Sequence, residues 1–312
     1  MNPGGNLRVR ARLVDGGLEA IDVRLERPPV TRLFIGQVPA AVAQGVPLLY
    51  SLCARAQGAA AQAALATAEG RALPPRHSTE LWLECLHEHL WRLLLDWPAA
   101  LGLAQARDAY ILWRSRRDHE PVAATRRLLA STLFGAPERT WVEGEPPCPG
   151  SLARACQERL PGGEPSFLDV PDLTPEEWLA YWQGRRSTAP LPTLPAAVGT
   201  AYRGRLQAVR LALQALTEEI PYPVAVAGGD GWGVGQALTA RGVLTHAVRL
   251  EEGKVKAYRI WAPTDCHFVD ARGLTQMLAG GRWETPEAAR QGLERAILAL
   301  DPCLPYEIEL EH

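Results

Sequence analysis

Two cysteines near opposite ends of the chain, Cys53 and Cys303, are the residues whose type and setting point most directly to chemistry. Cys53 lies in L-L-Y-S-L-C-A-R-A-Q, and Cys303 lies in D-P-C-L-P-Y-E-I-E. Each stretch is similar to a two-cysteine metal motif with one cysteine replaced. Thiols this far apart in sequence meet only if the fold brings the ends of its core together, and a soft metal or a redox pair is the usual reason. On the residues alone, a lone buried cysteine is more often an ordinary small apolar core residue than a metal ligand.

The remaining cysteines are weaker candidates. The chain has six cysteines and no C-x-x-C pair, which disfavours a zinc ribbon or a thioredoxin-like site. In the run C-L-H-E-H, Cys85 and His89 would share one face of a helix while His87 points away, so these three residues should not chelate one metal together. The sequence therefore predicts reduced thiols and no disulfide framework.

Asp265, Cys266 and His267 are neighbours of the types found in thiol- or metal-dependent hydrolases. Such an enzyme needs a base beside its nucleophile. Adjacent residues of an extended segment point apart, which disfavours this function. For Cys266, packing and a supporting role at the site stay equally open.

Charge and hydropathy exclude several classes of partner. Lys+Arg number 33 and Asp+Glu 35, so the formal charge of −2 gives no electrostatic case for a nucleic acid or an anionic membrane. No apolar run approaches the ~18 residues of a spanning helix, and the polar start M-N-P-G-G-N-L-R-V-R-A-R is unlike a signal peptide. We expect a cytoplasmic protein.

The elements that must position these residues indicate an α+β fold, with a helical centre and β-hairpins near both ends. Leu7, Val9 and Ala11 alternate with arginines before a D-G-G turn, which predicts a β-hairpin with one face buried and the other exposed to solvent. Gly45-Val46-Pro47 predicts a helix break ahead of Cys53. The stretch G-D-G-W-G-V-G follows no apolar strand of a βαβ unit, so it indicates close backbone approach to a helix more than nucleotide binding.

The predicted segments form one domain, 1–312: an N-terminal hairpin 6–26, a helical region 37–134, a connecting loop region 135–195, a long helix 197–219, a second hairpin 243–262, and a C-terminal helix with its cysteine motif 285–312.

Taken in order, these pieces resemble a reduced form of the large subunit of nickel–iron hydrogenases, and the resemblance spans the whole chain. Four blocks carry it. The hairpin N-L-R-V-R-A-R-L-V-D-G-G-L-E-A-I-D-V-R is the first, and Y-S-L-C-A-R-A-Q-G is similar to the family's R-x-C-G-x-C-x-x-x-H. Further along, G-V-G-Q-A-L-T-A-R-G-V-L-T-H is similar to G-x-G-x-x-E-A-P-R-G-x-L-x-H, and D-P-C-L-P-Y-E-I-E is similar to D-P-C-x-x-C-x-x-H.

The resemblance implies roles for four residues. Cys53 falls on a thiolate that bridges nickel and iron, and Cys303 falls on a terminal thiolate. Arg241 falls on the arginine that lies over the diatomic ligands of the iron, and His246 on the histidine of the same block. The implied cofactor-binding residues are these four, with the two cysteines as metal ligands.

Departures from the family pattern argue against hydrogenase activity. The other two thiolate positions hold Tyr50 and Tyr306, the motif histidines are Gln57 and Glu309, the proton-gate glutamate falls on Gly4, and the glutamate of the third block is Leu238. Nickel in such a site needs four soft thiolates, and proton delivery needs a carboxylate near the metal. We therefore expect neither nickel nor an enzyme.

A shortened, non-catalytic relative of this kind resembles the HupK-type hydrogenase expression/formation proteins. That resemblance implies a scaffold or carrier for iron with cyanide and carbonyl ligands, held transiently by two thiolates. The implied partners are a small HypC-type maturation chaperone and the precursor of a hydrogenase large subunit. The alternative is a metal-free structural mimic that binds and stabilises maturation chaperones.

Overall fold

A three-stranded sheet joins the two ends of the chain. The computed structural model describes residues 5–50, 52–73, 78–137, 147–160 and 172–312. The strands are β1 (Asn6–Val14), β2 (Gly17–Glu26) and β7 (Tyr306–Glu311), in the order β2-β1-β7. β1 and β2 form the predicted antiparallel hairpin, while β7, which was not predicted, lies parallel to β1. This pairing brings the segment after Cys303 beside the start of the chain.

The helix that precedes Cys303, Pro286–Leu300, packs under this sheet. Leu293 and Ile297 are fully buried against the inward face of β1. The predicted C-terminal helix begins at a Thr-Pro pair, with the hydroxyl of Thr285 accepting a hydrogen bond from the Ala288 N–H. Burial of this apolar stripe fixes where the helix ends, and so fixes the position of the cysteine motif that follows.

The second sheet is a four-stranded antiparallel meander. Its strands are β3 (Val224–Gly229), β4 (Trp232–Thr239), β5 (Gly242–Glu251) and β6 (Lys254–Trp261), paired in chain order. The predicted second hairpin corresponds to β5 and β6, and the prediction missed β3 and β4. Those two strands are rich in glycine and alanine, which are depleted in strands, so local propensity gave little signal.

Two glycines of β4 let the strand lie directly on a helix, as the sequence predicts. A Cβ atom on Gly235 would lie 2.3 Å from the carbonyl oxygen of Ala60, and one on Gly233 would lie 1.9 Å from that of Ala64. Any side chain at either position would therefore collide with helix backbone. The close contact locks β4 to the helix that begins just after Cys53.

Helices fill the centre of the chain, as predicted. They are α1 (Pro39–Leu49), α2 (Ala54–Ala68), α3 (Ser78–Trp91), α4 (Trp97–Ala100), α5 (Arg107–Arg116), α6 (Pro121–Leu128), α7 (Leu152–Gln157), α8 (Pro175–Trp182), α9 (Val198–Thr217), α10 (Pro263–His267), α11 (Arg272–Leu278) and α12 (Pro286–Leu300). A 3₁₀ turn covers Val30–Phe34, and π-helical turns at Arg92–Asp96 and Leu129–Leu133 continue α3 and α6. The predicted connecting region contains α7 and α8.

The predicted helix break at Gly45-Val46-Pro47 is wrong. α1 runs through Pro47 and ends at Leu49, and the chain turns at Tyr50. The ring of Pro47 packs against Gly58 of α2, where an added Cβ would lie 3.0 Å from the proline Cγ. This packing keeps the proline inside the helix and moves the break next to Cys53. None of the helices in the described ranges is long and apolar enough to cross a lipid bilayer.

Candidate metal-binding site

Cys53 lies at the N-terminal end of α2, in a left-handed backbone conformation (φ 54°) that is uncommon outside glycine. Nη1 of Arg241 donates to its sulfur at 3.4 Å. Burial raises the pKa of the Cys53 thiol well above its usual range. The guanidinium lowers that pKa, whereas nearby carboxylates and the sulfur of Cys303 raise it further. The two predicted thiols are thus close enough to affect each other electrostatically.

Arg241 lies in the tight turn between β4 and β5, and its side chain is only 2% exposed. Besides Cys53, it donates through Nη2 to Glu88 at 2.9 Å and through Nε to the carbonyl oxygen of Asp301 at 3.1 Å. Burial lowers the pKa of Arg241, but Asp301, the Cys53 sulfur and Glu88 outweigh it and raise the pKa overall. The arginine that the family pattern indicates is therefore a fixed, buried cation that connects the two cysteine segments.

Asp301 is the anion at the centre of this cation cluster. It ends α12 in a left-handed conformation (φ 51°), two residues before Cys303. Arg205 and Arg92 each donate to its carboxylate at 2.7 Å, and Arg241 lies 3.4 Å from it. Burial would raise the pKa of Asp301, but the three guanidiniums hold it well below its usual range. The start of the C-terminal motif is thereby anchored in the core as a fully paired charge.

Cys303 has its own set of donors. The hydroxyl of Thr264 donates to its sulfur at 3.2 Å and accepts from its backbone N–H at 3.1 Å. Nη2 of Arg27 donates to the same sulfur at 3.3 Å, while its Nε lies 2.5 Å from the carboxylate of Asp265. Burial lowers the pKa of Arg27, but the charges of Cys303 and Asp265 outweigh it and raise the pKa overall. Each thiol is therefore contacted by a different guanidinium.

Tyr50, at a position where the family pattern has a thiolate, lies beside Cys303. Burial raises the pKa of Tyr50 to about 12; Arg27 opposes that shift, and the charges of Asp265 and Cys303 add to it. Tyr306 is different, because it begins β7, is partly exposed and has Arg92 and acidic residues as electrostatic neighbours. Gly4 lies outside the described residues.

His246 is fully buried on β5 and has both ring nitrogens engaged. Nε2 lies 2.8 Å from Oε1 of Gln57, and Nδ1 lies 2.8 Å from the hydroxyl of Tyr258. Burial lowers the pKa of His246 to about 3, so the ring is neutral near pH 7. Because the Gln57 N–H donates to the Cys53 carbonyl at 2.8 Å, His246 supports the turn of α2 behind the thiol. Its predicted contact with a cofactor stays a prediction.

The segment 263–267 is a short helix, so its predicted extended conformation is wrong. Its three chemically interesting side chains nevertheless point to different partners, which also disfavours a hydrolase. Asp265 pairs with Arg27, and His267 lies 2.9 Å from the carbonyl oxygen of Leu300. Cys266 is buried among apolar residues, and burial raises its pKa to about 12. Packing accounts for Cys266.

On α3 the two histidines separate as predicted. His89 is buried, with Nδ1 3.4 Å from Nη1 of Arg205, and burial lowers its pKa to about 3. His87 faces the other way and lies 3.0 Å from the hydroxyl of Tyr110. Cys85 belongs to the apolar core. No shared metal site forms from this run.

Sequence reasoning did not single out Glu88, Arg27, Thr264 or Asp301 as site residues. Asp301 had a signal, since it belongs to the D-P-C motif, and Glu88 lies in the H-E-H run. Arg27 and Thr264 carry no local signal, because only the tertiary fold brings them to Cys303.

The backbone has the fold of a hydrogenase large subunit. The nickel–iron–selenium hydrogenase of Desulfovibrio vulgaris Hildenborough aligns with 93% of this chain and 94% of its own, with a TM-score of 0.51 in the reduced state and 0.53 in the as-isolated oxidised state, at 14% and 13% identity. The predicted α+β, large-subunit-like fold is confirmed. No protein-family model matches the chain.

Curated relatives define the family more narrowly. Hydrogenase expression/formation protein HupV of Azotobacter chroococcum mcd 1 is 32% identical and HupK of Azotobacter vinelandii is 33% identical, each over 99% of both chains. Hydrogenase expression/formation protein HoxV of Cupriavidus necator is 25% identical over 91% of both chains. The chain therefore belongs to the HupK/HupV family of hydrogenase expression/formation proteins, as its motifs predict.

Proposed function

We propose that this chain is a non-catalytic accessory protein of nickel–iron hydrogenase maturation. In this proposal it holds iron with cyanide and carbonyl ligands between Cys53 and Cys303 before transfer to the large subunit. One observation carries the proposal: Arg241 contacts the free thiol of Cys53 and also Asp301, two residues before the free thiol of Cys303, and each sulfur accepts a hydrogen bond from its own guanidinium. The names of the relatives, hydrogenase expression/formation proteins, support the maturation role.

The donor set suits a cargo that brings most of its own ligands. Among the described residues, no group of three or more histidine, cysteine or acidic side chains is arranged to hold a bare metal ion. Iron that already carries strong-field diatomic ligands needs few protein ligands, and soft thiolates are appropriate ones. Cys53 and Cys303 would supply the two sulfur ligands.

Arg241 would orient the cargo through hydrogen bonds to cyanide nitrogens. An arginine has five N–H groups, and the contacts with Cys53, Glu88 and Asp301 occupy three of them. The other two can donate to an anionic acceptor, and such charge-assisted bonds are among the stronger ones in proteins. Because Glu88 and Asp301 fix the guanidinium, the acceptor position is defined before the cargo arrives.

The partners in this proposal are a small HypC-type chaperone and the hydrogenase large-subunit precursor. The chaperone would deliver the cargo and the precursor would receive it. The site therefore has to release what it binds, which agrees with only two protein ligands.

Infrared spectroscopy on the chain tests the proposal directly. The chain is co-expressed with the maturation proteins and purified without oxygen, because cyanide and carbonyl ligands on iron absorb where protein does not. We expect such bands in the wild-type chain and their loss in Cys53→Ser and in Cys303→Ser.

Cys148→Ser is the matched control, since Cys148 is a half-buried thiol whose backbone hydrogen bonds are with Phe134 and Ser151, away from the residues that contact either sulfur in the described ranges. Its bands should equal those of the wild-type chain. A chain that retains its chaperone but shows no bands would support the metal-free mimic. Equal loss of bands in all three variants would indicate a folding defect and contradict the assignment of ligands.

A further inference from the structure

The solvent-facing side of α1 and the segment that leads into it form an uncharged, mostly apolar surface, which we call the α1 surface. Ten exposed residues lie between positions 33 and 49, and none of them is charged. Charged residues make up 22% of the chain, so the 22-residue stretch 33–54 would ordinarily contain about five, but it contains none. Soluble monomers rarely expose continuous apolar patches larger than a few hundred Å², and larger ones mark interaction sites.

Large apolar side chains project from the α1 surface into solvent. In the described ranges no large apolar residue is more exposed than Leu48, at 85%. The charged groups nearest in sequence or across the sheet lie at the edge: Arg32 precedes the surface, and Lys256, paired with Glu251 at 3.3 Å, lies on β6 beside it. An apolar centre with a polar rim is the usual anatomy of a protein–protein interface. The large side chains are Leu33, Ile35, Val38, Leu48 and Leu49.

The exposed side of α1 is complementary in shape to a second copy of itself. Ala40, Gln44 and Leu48 follow at intervals of four residues, so they form one ridge along the helix. Ala41 is also exposed and lies beside the same ridge. The N-terminal end of the ridge is therefore small and the C-terminal end large. When two such helices lie antiparallel, the large end of each meets the small end of the other.

We propose that this chain forms a two-fold symmetric dimer in which the exposed sides of the two α1 helices pack antiparallel against each other. Leu48 of each copy lies over Ala40 and Ala41 of the other, and the two Gln44 side chains meet near the symmetry axis. Such a contact uses the same surface on both copies, which is the commonest arrangement in soluble oligomers. It also removes from water the most exposed apolar side chain of the described residues.

The lack of charge favours an identical copy as the occupant. A charged surface that packs on its own copy brings like charges together, which costs affinity. The α1 surface has no charged groups to bring together. The exposed apolar pair Ile111 and Leu112 is different, because α5 carries three arginines and one aspartate. Two copies of α5 would therefore repel each other, whereas two copies of α1 would not.

The size of the α1 surface sets the expected strength of the dimer. Ten exposed residues a side are fewer than the roughly 20–30 of a standard interface, and interfaces at the small end of the range are weak. We expect a dissociation constant on the order of 10 µM. Because no ion pair lies at the centre, the dissociation constant should be the same in low and high salt.

Sedimentation velocity of the full, metal-free chain between about 2 and 200 µM tests the dimer, at low and high sodium chloride. We expect a shift from monomer to dimer over this range. Leu48→Gln removes the large end of the ridge, and Ala41→Glu puts a carboxylate under Leu48 of the other copy. Each should raise the dissociation constant at least tenfold. Ile111→Gln, at another exposed apolar position, should leave it unchanged. Circular dichroism confirms that all three variants fold.

A cross-link tests the antiparallel arrangement. Gln44→Cys should form a disulfide between two copies on mild oxidation with copper phenanthroline, and mass spectrometry should assign it to position 44 of both chains. Ser115→Cys, exposed on α5, should not link to itself.

A chain that stays monomeric at the highest concentration would overturn the proposal and leave the α1 surface to a different protein. A dimer that survives both Leu48→Gln and Ala41→Glu, or one that dissociates in high salt, would also overturn it. The dimer does not depend on iron, so this result and the infrared result are independent.

Discussion

The two thiols of the site have similar donors but very different surroundings. Arg241, which contacts Cys53, is 2% exposed and belongs to a buried network with Glu88 and Asp301. Arg27, which contacts Cys303, has a side chain that is 28% exposed. Within the described ranges, its one ion-pair partner is Asp265. The guanidinium on the Cys53 side is part of the core, whereas the one on the Cys303 side lies at its edge.

This contrast indicates that the two sides of the site have different roles. A guanidinium fixed by two buried carboxylates can orient a ligand with little loss of entropy when the ligand binds. A partly exposed guanidinium on a segment that follows a strand can move aside more cheaply. We infer that the Cys53 side sets the geometry of the bound cargo and the Cys303 side adjusts to it.

The largest expected effect comes from removing the anion that connects the two sides. Asp301→Asn leaves Arg205, Arg92 and Arg241 buried together without their shared carboxylate. Removing one partner of a buried ion pair typically costs about 3–5 kcal/mol, and we expect a loss of that size in the free energy of unfolding, measured by urea denaturation at pH 7.

The control for this substitution is Asp270→Asn, because Asp270 pairs with Arg272 at the surface. It should change the free energy of unfolding by no more than about 0.5 kcal/mol. If Asp301→Asn cost as little as the control, the cation cluster would not be the element that connects the two cysteine segments.

The next effect compares the two arginines directly. Arg241→Met leaves Glu88 and Asp301 short of a buried partner and should cost about 3 kcal/mol of unfolding free energy. Arg27→Met breaks a partly exposed pair and should cost about 1 kcal/mol or less. The two variants carry the same substitution, so each serves as the control of the other in a parallel urea titration. Equal losses would erase the distinction between a fixed side and an adjustable side.

The parts of the fold that were predictable are those with a local signal. The alternation of Leu7, Val9 and Ala11 predicts β1, and the Thr-Pro start predicts α12. β3 and β4 escaped prediction because their small residues are selected by contact with α2, a tertiary requirement. The helix break predicted at Pro47 was wrong for the same reason, since the residue against which this proline packs lies on another helix.

The same division applies to the site. Cys53, Cys303 and Arg241 lie in motifs where they match the residue types of the family pattern. The sequence therefore predicts them, and the fold brings them together. Arg27 reaches Cys303 from 276 positions away, and no periodicity or spacing reports such a contact. Polar partners of a buried site are chosen by geometry, so one sequence reveals them only when they lie in the motif itself.

The last effect that we predict is a pH dependence behind Cys53. His246 has a folded-state pKa of about 3, below the value of about 6.5 for an exposed histidine, because it is fully buried. Below pH 6.5, His246 binds a proton in the unfolded chain but not in the folded chain. The stability that depends on neutral His246 is therefore complete above pH 6.5 and is lost progressively as the pH falls towards 3.

Between pH 7 and pH 5 this one group should lower the free energy of unfolding by about 2 kcal/mol. His246→Gln keeps a polar side chain near Gln57 and Tyr258 but cannot titrate, so it should lose about 2 kcal/mol less than the wild-type chain over the same interval in urea unfolding. His119→Gln, at an exposed position, should follow the wild-type chain. If His246→Gln also kept the full wild-type loss, the acid sensitivity would arise elsewhere, and the turn that carries Cys53 would not depend on a neutral imidazole.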